Sequence, residues 1–238
     1  MSEFVQLWVY LASTPLFGLT ATLMVYVVAS LFYERVERAP WANPVLWSVI
    51  GLGALLVATG TPYQTYFAGA QFVHVLLGPA VVALGWPLWL RRAELRQRGL
   101  ALTAAAAAGG FAAAGSAVLL GWILDMPPEV LRSLAPKSVT APVAMGIAET
   151  IGGVPALAAV FAVATGLVGA LSAKYLFDWL KIDDIPSRGF ALGTASHGIG
   201  AARALQVDPD AGAYASIALG MQVLIAALLM PLMFRLIG

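Results

Sequence analysis

The sequence predicts an all-α, polytopic integral membrane protein with about six full transmembrane helices and two re-entrant or discontinuous helical segments. Three observations lead there. Hydrophobic residues make up 61% of the 238 and charged residues only 11%, where soluble domains carry roughly 25% charged residues. Four intervals hold no charge at all, Glu3 to Glu34, Arg38 to Arg91, Glu149 to Lys174 and Asp210 to Arg235. Each exceeds the ~18 to 20 apolar residues with which a helix crosses a ~30 Å hydrocarbon core. Finally, the stretches 134–145 and 192–203 are too polar and too rich in Pro or Gly to read as ordinary spans.

Taken in order, the helices fall near 5–33, 42–60, 69–90, 101–124, 154–173 and 211–234. Met1-Ser2-Glu3 lacks the basic start of a signal peptide, and Leu16 to Tyr33 is too long for its apolar region. The first helix is therefore expected to stay in the mature protein. The uncharged run from Ala39 to Leu90 must hold two crossings, because "TGTPYQTYFAGAQ" (Thr59 to Gln71) interrupts it, with the turn expected at Tyr63 to Tyr66. "LTAAAAAGGFAAAGSA" (Leu102 to Ala117) reads as a tightly packed helix face.

Basic residues orient these helices. Arg35 and Arg38 follow the first, and Arg91, Arg92, Arg96 and Arg98 follow the third, which places both loops in the cytoplasm. The Asp125 to Glu129 loop is then outside. Keeping Lys174, Lys181 and Arg188 cytoplasmic requires that 127–150 enter and leave on the outer side and 187–210 on the inner side. A rival arrangement, in which both stretches cross fully, would put Lys174 and Lys181 outside. "LAPKSVTAPVAM" (Leu134 to Met145) and "LGTASHGIGAAR" (Leu192 to Arg203) also align without gaps at an offset of 58, pairing Ser138 with Ser196. The chain thus reads as one transmembrane domain, with helices over 1–125 and inverted repeats over 127–178 and 187–236. Inverted repeats place broken helices together at the bilayer midplane.

The polar residues of these two stretches form the candidate site. Pro136, Pro142, Gly193, Gly198 and Gly200 each disfavour a continuous helix, and broken helices expose N-terminal amides that attract anions. Lys137, Ser138 and Thr140 from one stretch face Thr194, Ser196, His197 and Arg203 from the other. All twelve Asp and Glu lie in predicted loops, in the tail or at helix ends. Cations, hydroxyls and amides without a carboxylate suit a small anion. The plainer readings are a snorkelling Lys137, a core histidine at 197, and an Arg203 that marks the cytoplasmic end of its hairpin. His74, with Gln71, reads first as a packing or helix-bridging group.

Other chemistries find little support. Ser196 and His197 are neighbours, and i,i+1 side chains on a helix do not face each other, which argues against a catalytic dyad and an enzyme. The G-x-G match has no preceding strand and no following ribose-binding acid. Cysteine is absent, two His make no convincing metal cage, and a net charge of +1 gives no field for nucleic acid.

"LAPKSVTAPVAM", "GTASHGIGAARAL", "FVHVLLGPAVVAL" (Phe72 to Leu84) and "NPVL" (Asn43 to Leu46) resemble the signatures of the LrgB/CidB family, over about Pro15 to Pro231. Ala201 and Ala141 stand where the pattern has Thr. The resemblance adds Asn43 and His74 to the candidate binding residues, with no metal and no cofactor beyond a coupling H+ or Na+. It implies a multi-pass protein of the inner (plasma) membrane. It also implies two functions. One is transport of small monocarboxylates, short 2-hydroxyacids such as glycolate or glycerate first and pyruvate, lactate or acetate next, as in a plastid-envelope relative. The other is antiholin-like regulation of murein hydrolases with an LrgA/CidA-type membrane partner. A homo-oligomer fits either.

Overall fold

The computed structural model describes residues 15–76, 79, 82–83, 85–90 and 92–237. They form two compact units, one up to Ala83 and one after it. Residues 5–14 of the first expected helix, and 77, 78, 80, 81 and 84 of the third, lie outside the described residues. The described residues are helical almost throughout. Four helices, Leu16–Arg35, Arg96–Ile123, Pro155–Trp179 and Pro209–Leu236, are long and apolar enough to span a membrane. The protein is a polytopic membrane protein.

The N-terminal unit consists of α1 (Pro15–Arg35), a 3-10 turn (Pro40–Ala42), α2 (Pro44–Thr59) and α3 (Tyr63–Val75). Asn43 starts α2 as its N-cap. Its Oδ1 accepts hydrogen bonds from the amides of Val45 at 2.9 Å and Leu46 at 3.2 Å. Gly60 ends α2 in the left-handed conformation, φ 63°. The turn expected at Tyr63 to Tyr66 is therefore displaced, since Gly60 to Pro62 carry it and Tyr63 already begins α3. Against α3, α1 offers Gly18, where a Cβ would run into the Tyr66 carbonyl.

The C-terminal unit runs through α4 (Gly85–Leu90), α5 (Arg92–Ile123), α6 (Pro128–Leu134), α7 (Ala141–Ile151), α8 (Pro155–Trp179), α9 (Ile185–Val207) and α10 (Pro209–Ile237). Helix α5 begins before the expected 101, because Arg92 to Arg98 are mostly strong helix formers. The two stretches that did not read as spans are α6 with α7, and α9.

Both prove to be hairpins. Gly121, near the end of α5, faces Leu131 and Leu134 of α6, and Ser133 of α6 accepts a 2.7 Å hydrogen bond from the Val154 amide at the head of α8. The end of α5 and the start of α8 therefore meet at one face, and residues 127–153 return to it. In α9, Gly189 and Gly193 lie against Ala211 and Ala215 of α10, whereas Leu205 lies against Gly212. Positions 189 and 205 thus share one level. The first arm of α9 runs parallel to α10, the second runs antiparallel, and the turn between them falls at Ser196 and His197.

The second hairpin starts from the other end of α8. Arg188 donates to Asp178 Oδ1 at 2.8 Å, near the end of α8, while Ser196 faces Gly169 and His197 faces Gly166. Those glycines sit near the middle of the 25-residue α8. An arm from Ile185 to Ser196 rises roughly 15 Å, half the thickness of a bilayer core. The two hairpins thus start from opposite ends of α8, and their tips meet near its middle. Arg98 of α5 is within electrostatic range of Asp184, so α5 begins at the same face where α9 begins. The carboxyl of Asp184 is held below its usual range by hydrogen bonding from Ser187, side chain first and backbone amide second.

Small residues make this packing close. A Cβ on Gly193 would overlap the Ala215 carbonyl, whereas one on Gly146 of α7 would meet nothing within 4 Å. Gly193→Ala is expected to destabilise the protein by about 1 to 3 kcal/mol, seen as earlier thermal unfolding in detergent. Gly146→Ala should be neutral or stabilising. Equal melting of the two variants would contradict the backbone-to-backbone packing of α9 on α10.

Candidate binding site between the hairpin tips

In the first hairpin, residues 135–140 leave the helix and α7 restarts at Ala141. Pro136 lies in the break. Pro142 does not extend it, since it occupies the first turn of α7, where a missing amide N–H costs nothing. Lys137 is half-buried, and its ammonium donates to Ser138 Oγ at 3.3 Å. Thr140 is the N-cap of α7 but makes no side-chain cap hydrogen bond. Its Oγ1 is buried with no hydrogen-bond partner among the described residues. Beside it are the first-turn amides of α7, which lack partners inside the helix and bear partial positive charge.

In the second hairpin the helical geometry fails at Ser196 (φ −125°, ψ 17°) and His197 (φ 41°, ψ −136°). Glycine flexibility was expected to break this segment, but Gly193, Gly198 and Gly200 are not where it breaks, and positive φ is confined, among described glycines, to Gly60 and Gly152. The glycines serve proximity instead. Gly200 lies against the Leu192 carbonyl and Ser196, and a Cβ on Gly198 would come 3.9 Å from the Thr140 methyl. Left-handed backbone at a non-glycine residue costs about 1 to 3 kcal/mol, so His197 needs support from its surroundings.

Helix α8 supplies that support. The ring Nε2 of His197 is 2.7 Å from the Ala162 carbonyl, and because a carbonyl only accepts, Nε2 carries the hydrogen. The ring rests on Gly166, and the Ser196 hydroxyl rests on Gly169, where a Cβ would overlap it. Ser196 and His197 are 2% and 3% exposed. No hydrogen bond joins them among the described residues, and each side chain is engaged with α8 rather than with the other.

The fold therefore brings together Lys137, Ser138 and Thr140 from one tip with Ser196 and His197 from the other. The Thr140 methyl meets Gly198, and Lys137 lies within electrostatic range of the His197 ring. No Asp or Glu occurs over 130–148 or 185–207, so neither tip brings a carboxylate of its own. Thr194 and Arg203 sit on the arms of the second hairpin. Thr194 donates to the Phe190 carbonyl at 2.8 Å and turns its methyl to Gly109 of α5, and Arg203 is buried on the returning arm. Asn43 and His74 belong to the other unit, where Asn43 caps α2 and His74 lies in α3 with its side chain outside the described residues. Among the described residues no three His, Asp or Glu side chains gather as metal ligands.

Gly166, Gly169 and Gln222 are contributors that the sequence reading missed. Gln222 is buried on α10, donates to the Ala106 carbonyl at 2.6 Å and needs Gly110 beside its amide. With Ala135 it borders an apolar cavity of about 180 Å³ between α5 and α10. A lone Gln in the apolar run "GMQVLIAALLM" and the G-x-x-G spacing in α8 were the available signals.

The LrgB-like family model matches residues 22–236. The chain is 32% identical to the uncharacterised protein YwbG of Bacillus subtilis over 202 residues, 85% of this chain and 89% of that one. It is 32% identical to an uncharacterised protein of Haemophilus influenzae, covering 82% and 84%. It is 27% identical to the holin-like protein CidB of Staphylococcus aureus, covering 91% and 96%. No solved structure matches.

The unpartnered hydroxyl of Thr140 yields a prediction with two readouts. Thr140→Val keeps the volume and removes a buried polar group that makes no hydrogen bond, so thermal stability without ligand should be unchanged or slightly raised. On the anion-carrier reading proposed below, binding at the tips should weaken by about tenfold. A marked loss of stability would show that the hydroxyl serves the fold.

Proposed function

Starting from a chain that belongs to the LrgB-like family, we propose that this membrane protein carries small monocarboxylates, bound as anions between its two hairpin tips. The observation that carries the proposal is the Thr140 hydroxyl. It is buried at the head of α7 with no hydrogen-bond partner among the described residues, three positions after Lys137 and facing Gly198 of the second tip. A half-buried cation and an unpaired buried hydroxyl are both costly, and one carboxylate compensates both. Lys137 supplies charge, while Thr140, Ser138 and the α7 amides supply hydrogen bonds. Ser196 and the ring of His197 close the site from the opposite face. Short 2-hydroxyacids such as glycolate and glycerate come first, then pyruvate, lactate and acetate.

Several finer points belong to the same reading. Residues 127–178 and 187–236 form an inverted pair, which is how transporters build a midplane site. The basic face with Arg98 and Lys181 is cytoplasmic by the positive-inside rule, and the membrane is the inner (plasma) membrane. Where transport is proton-coupled, the proton passes through His197 or Lys137, since neither tip carries an acid. An LrgA/CidA-type membrane protein and further copies of this chain are the proposed partners.

A second reading is favoured by the name of one set of relatives, the holin-like protein CidB. In it the chain is an antiholin-like regulator that governs murein hydrolases by assembling with an LrgA/CidA-type partner. One experiment separates the two readings. A carboxylate that binds the native protein must raise its thermal stability, by about 2.7 kcal/mol at a hundred times its Kd. Glycolate, glycerate, lactate, pyruvate and acetate are therefore expected to include at least one that shifts melting in detergent. Lys137→Ala should abolish that shift together with uptake into proteoliposomes. No shift with any of the five, alongside a stable complex with an LrgA-like protein, would favour regulation.

A further inference from the structure

The two hairpins are anchored very unequally. We infer that the first hairpin is the moving gate of the site and the second its fixed floor, with Gly152 and Gly153 as the hinge; this rests on the carrier reading above. At the base of the second hairpin, Arg188 pairs with Asp178 at 2.8 Å and Asp183 at 3.6 Å, donates to the Ile182 carbonyl and covers the Phe177 ring. Asp184 caps the same arm through the Ser187 amide at 2.9 Å. Along the arms, Gly189 and Gly193 lie against the α10 backbone, and at the tip the His197 ring is hydrogen-bonded to α8. Displacing this hairpin would break all of these together.

Among the described residues the first hairpin has no ion pair at its base and no hydrogen bond from its tip to another helix, and Ala135 and Val139 of the tip are held by apolar packing alone. The Lys137 ammonium reaches only Ser138 of its own tip, and Thr140 Oγ1 reaches nothing among the described residues. Helix α7 packs through Ala144, Ile147, Ala148 and Ile151 against Ala158, Ala162 and Ala226, contacts that slide without leaving a polar group unpaired. At its far end α7 stops at Gly152, φ 78°, followed by Gly153 close against the Ser133 amide. Two glycines at the end of an element absorb backbone rotation readily. The Ser133 to Val154 hydrogen bond stays at the pivot.

The same asymmetry couples the motion to the ligand. With no anion bound, the closed hairpin holds an unpaired hydroxyl and an uncompensated cation, which favours opening. An anion bound at the tip removes both penalties and shifts the population toward closure. The gate opens toward the face of Asp125 and Glu129, while in this step of the carrier's cycle the second hairpin keeps the face of Arg98 and Lys181 closed.

Hydrogen–deuterium exchange on the full-length protein in lipid nanodiscs tests this without a variant. Low-energy opening exposes amides in proportion to its population. Amides of residues 141–151 are expected to exchange at least tenfold faster than those of 189–204, and saturating glycolate or lactate should bring them to the slower rate. Equal or slower exchange over 141–151 than over 189–204 in the ligand-free protein would overturn the gate. Faster exchange that none of the five monocarboxylates slows would uphold the gate and count against the carrier reading instead.

Discussion

A peptide group at membrane depth has no water to turn to, and the structure is organised around that constraint. Helices satisfy it along their length, but a break in a helix leaves amides and carbonyls that lipid cannot serve. This chain has two breaks near the middle of its membrane-spanning unit, at 135–140 and at Ser196 and His197. Each is tolerated because protein covers it. The covering helices come close enough only where side chains are missing, so Gly166 and Gly169 of α8 and Gly109 and Gly110 of α5 stand opposite His197, Ser196, Thr194 and Gln222. In lipid, where burying apolar side chains gains little, such small-residue contact is the principal means by which helices associate.

The strained residue shows how these pieces depend on one another. His197 holds a backbone conformation that a non-glycine side chain seldom adopts. Its ring is tied to the Ala162 carbonyl and lies on Gly166, and the Ser196 hydroxyl occupies the space that Gly169 leaves. The helix that crosses between the hairpins is thus also the template for the second tip. The first tip reaches Gly198 through Thr140 and is otherwise left with unspent hydrogen-bonding capacity. The second tip is thus held by α8, whereas the first keeps a buried hydroxyl without a hydrogen-bond partner among the described residues.

Electrostatics gives the arrangement its sign. Neither hairpin tip carries an acidic residue, and the first carries Lys137 and a helix N-terminus, so the charge the tips bring is positive. Asp125 and Glu129 lie at the end of α8 where the first hairpin begins, and Arg98, Lys181, Asp184 and Arg188 lie at the other, where Arg188 and Asp184 anchor the second hairpin. The chemistry at the centre and the anchoring at the rim therefore use different residues.

Much of this was legible in the sequence. Charge-free intervals gave the long apolar helices, because a span in a membrane is governed by length and charge, which are local properties. Pro136 marked the first break for the same reason. What the sequence could not decide was which residues at a break carry the distortion. Glycines looked responsible at 193, 198 and 200, yet Gly193 serves closeness to α10, Gly198 lies toward Thr140 and Gly200 against Leu192 and Ser196, and the helix breaks at Ser196 and His197, with the positive φ at His197. The turn before α3 moved to Gly60 through Pro62 because a left-handed cap outweighs the polarity of the residues after it. The partners of Thr194 and Gln222, and the absence of one for Thr140, depend on which helix faces which. That is set by packing between segments far apart in the chain, and only the tertiary structure decided it.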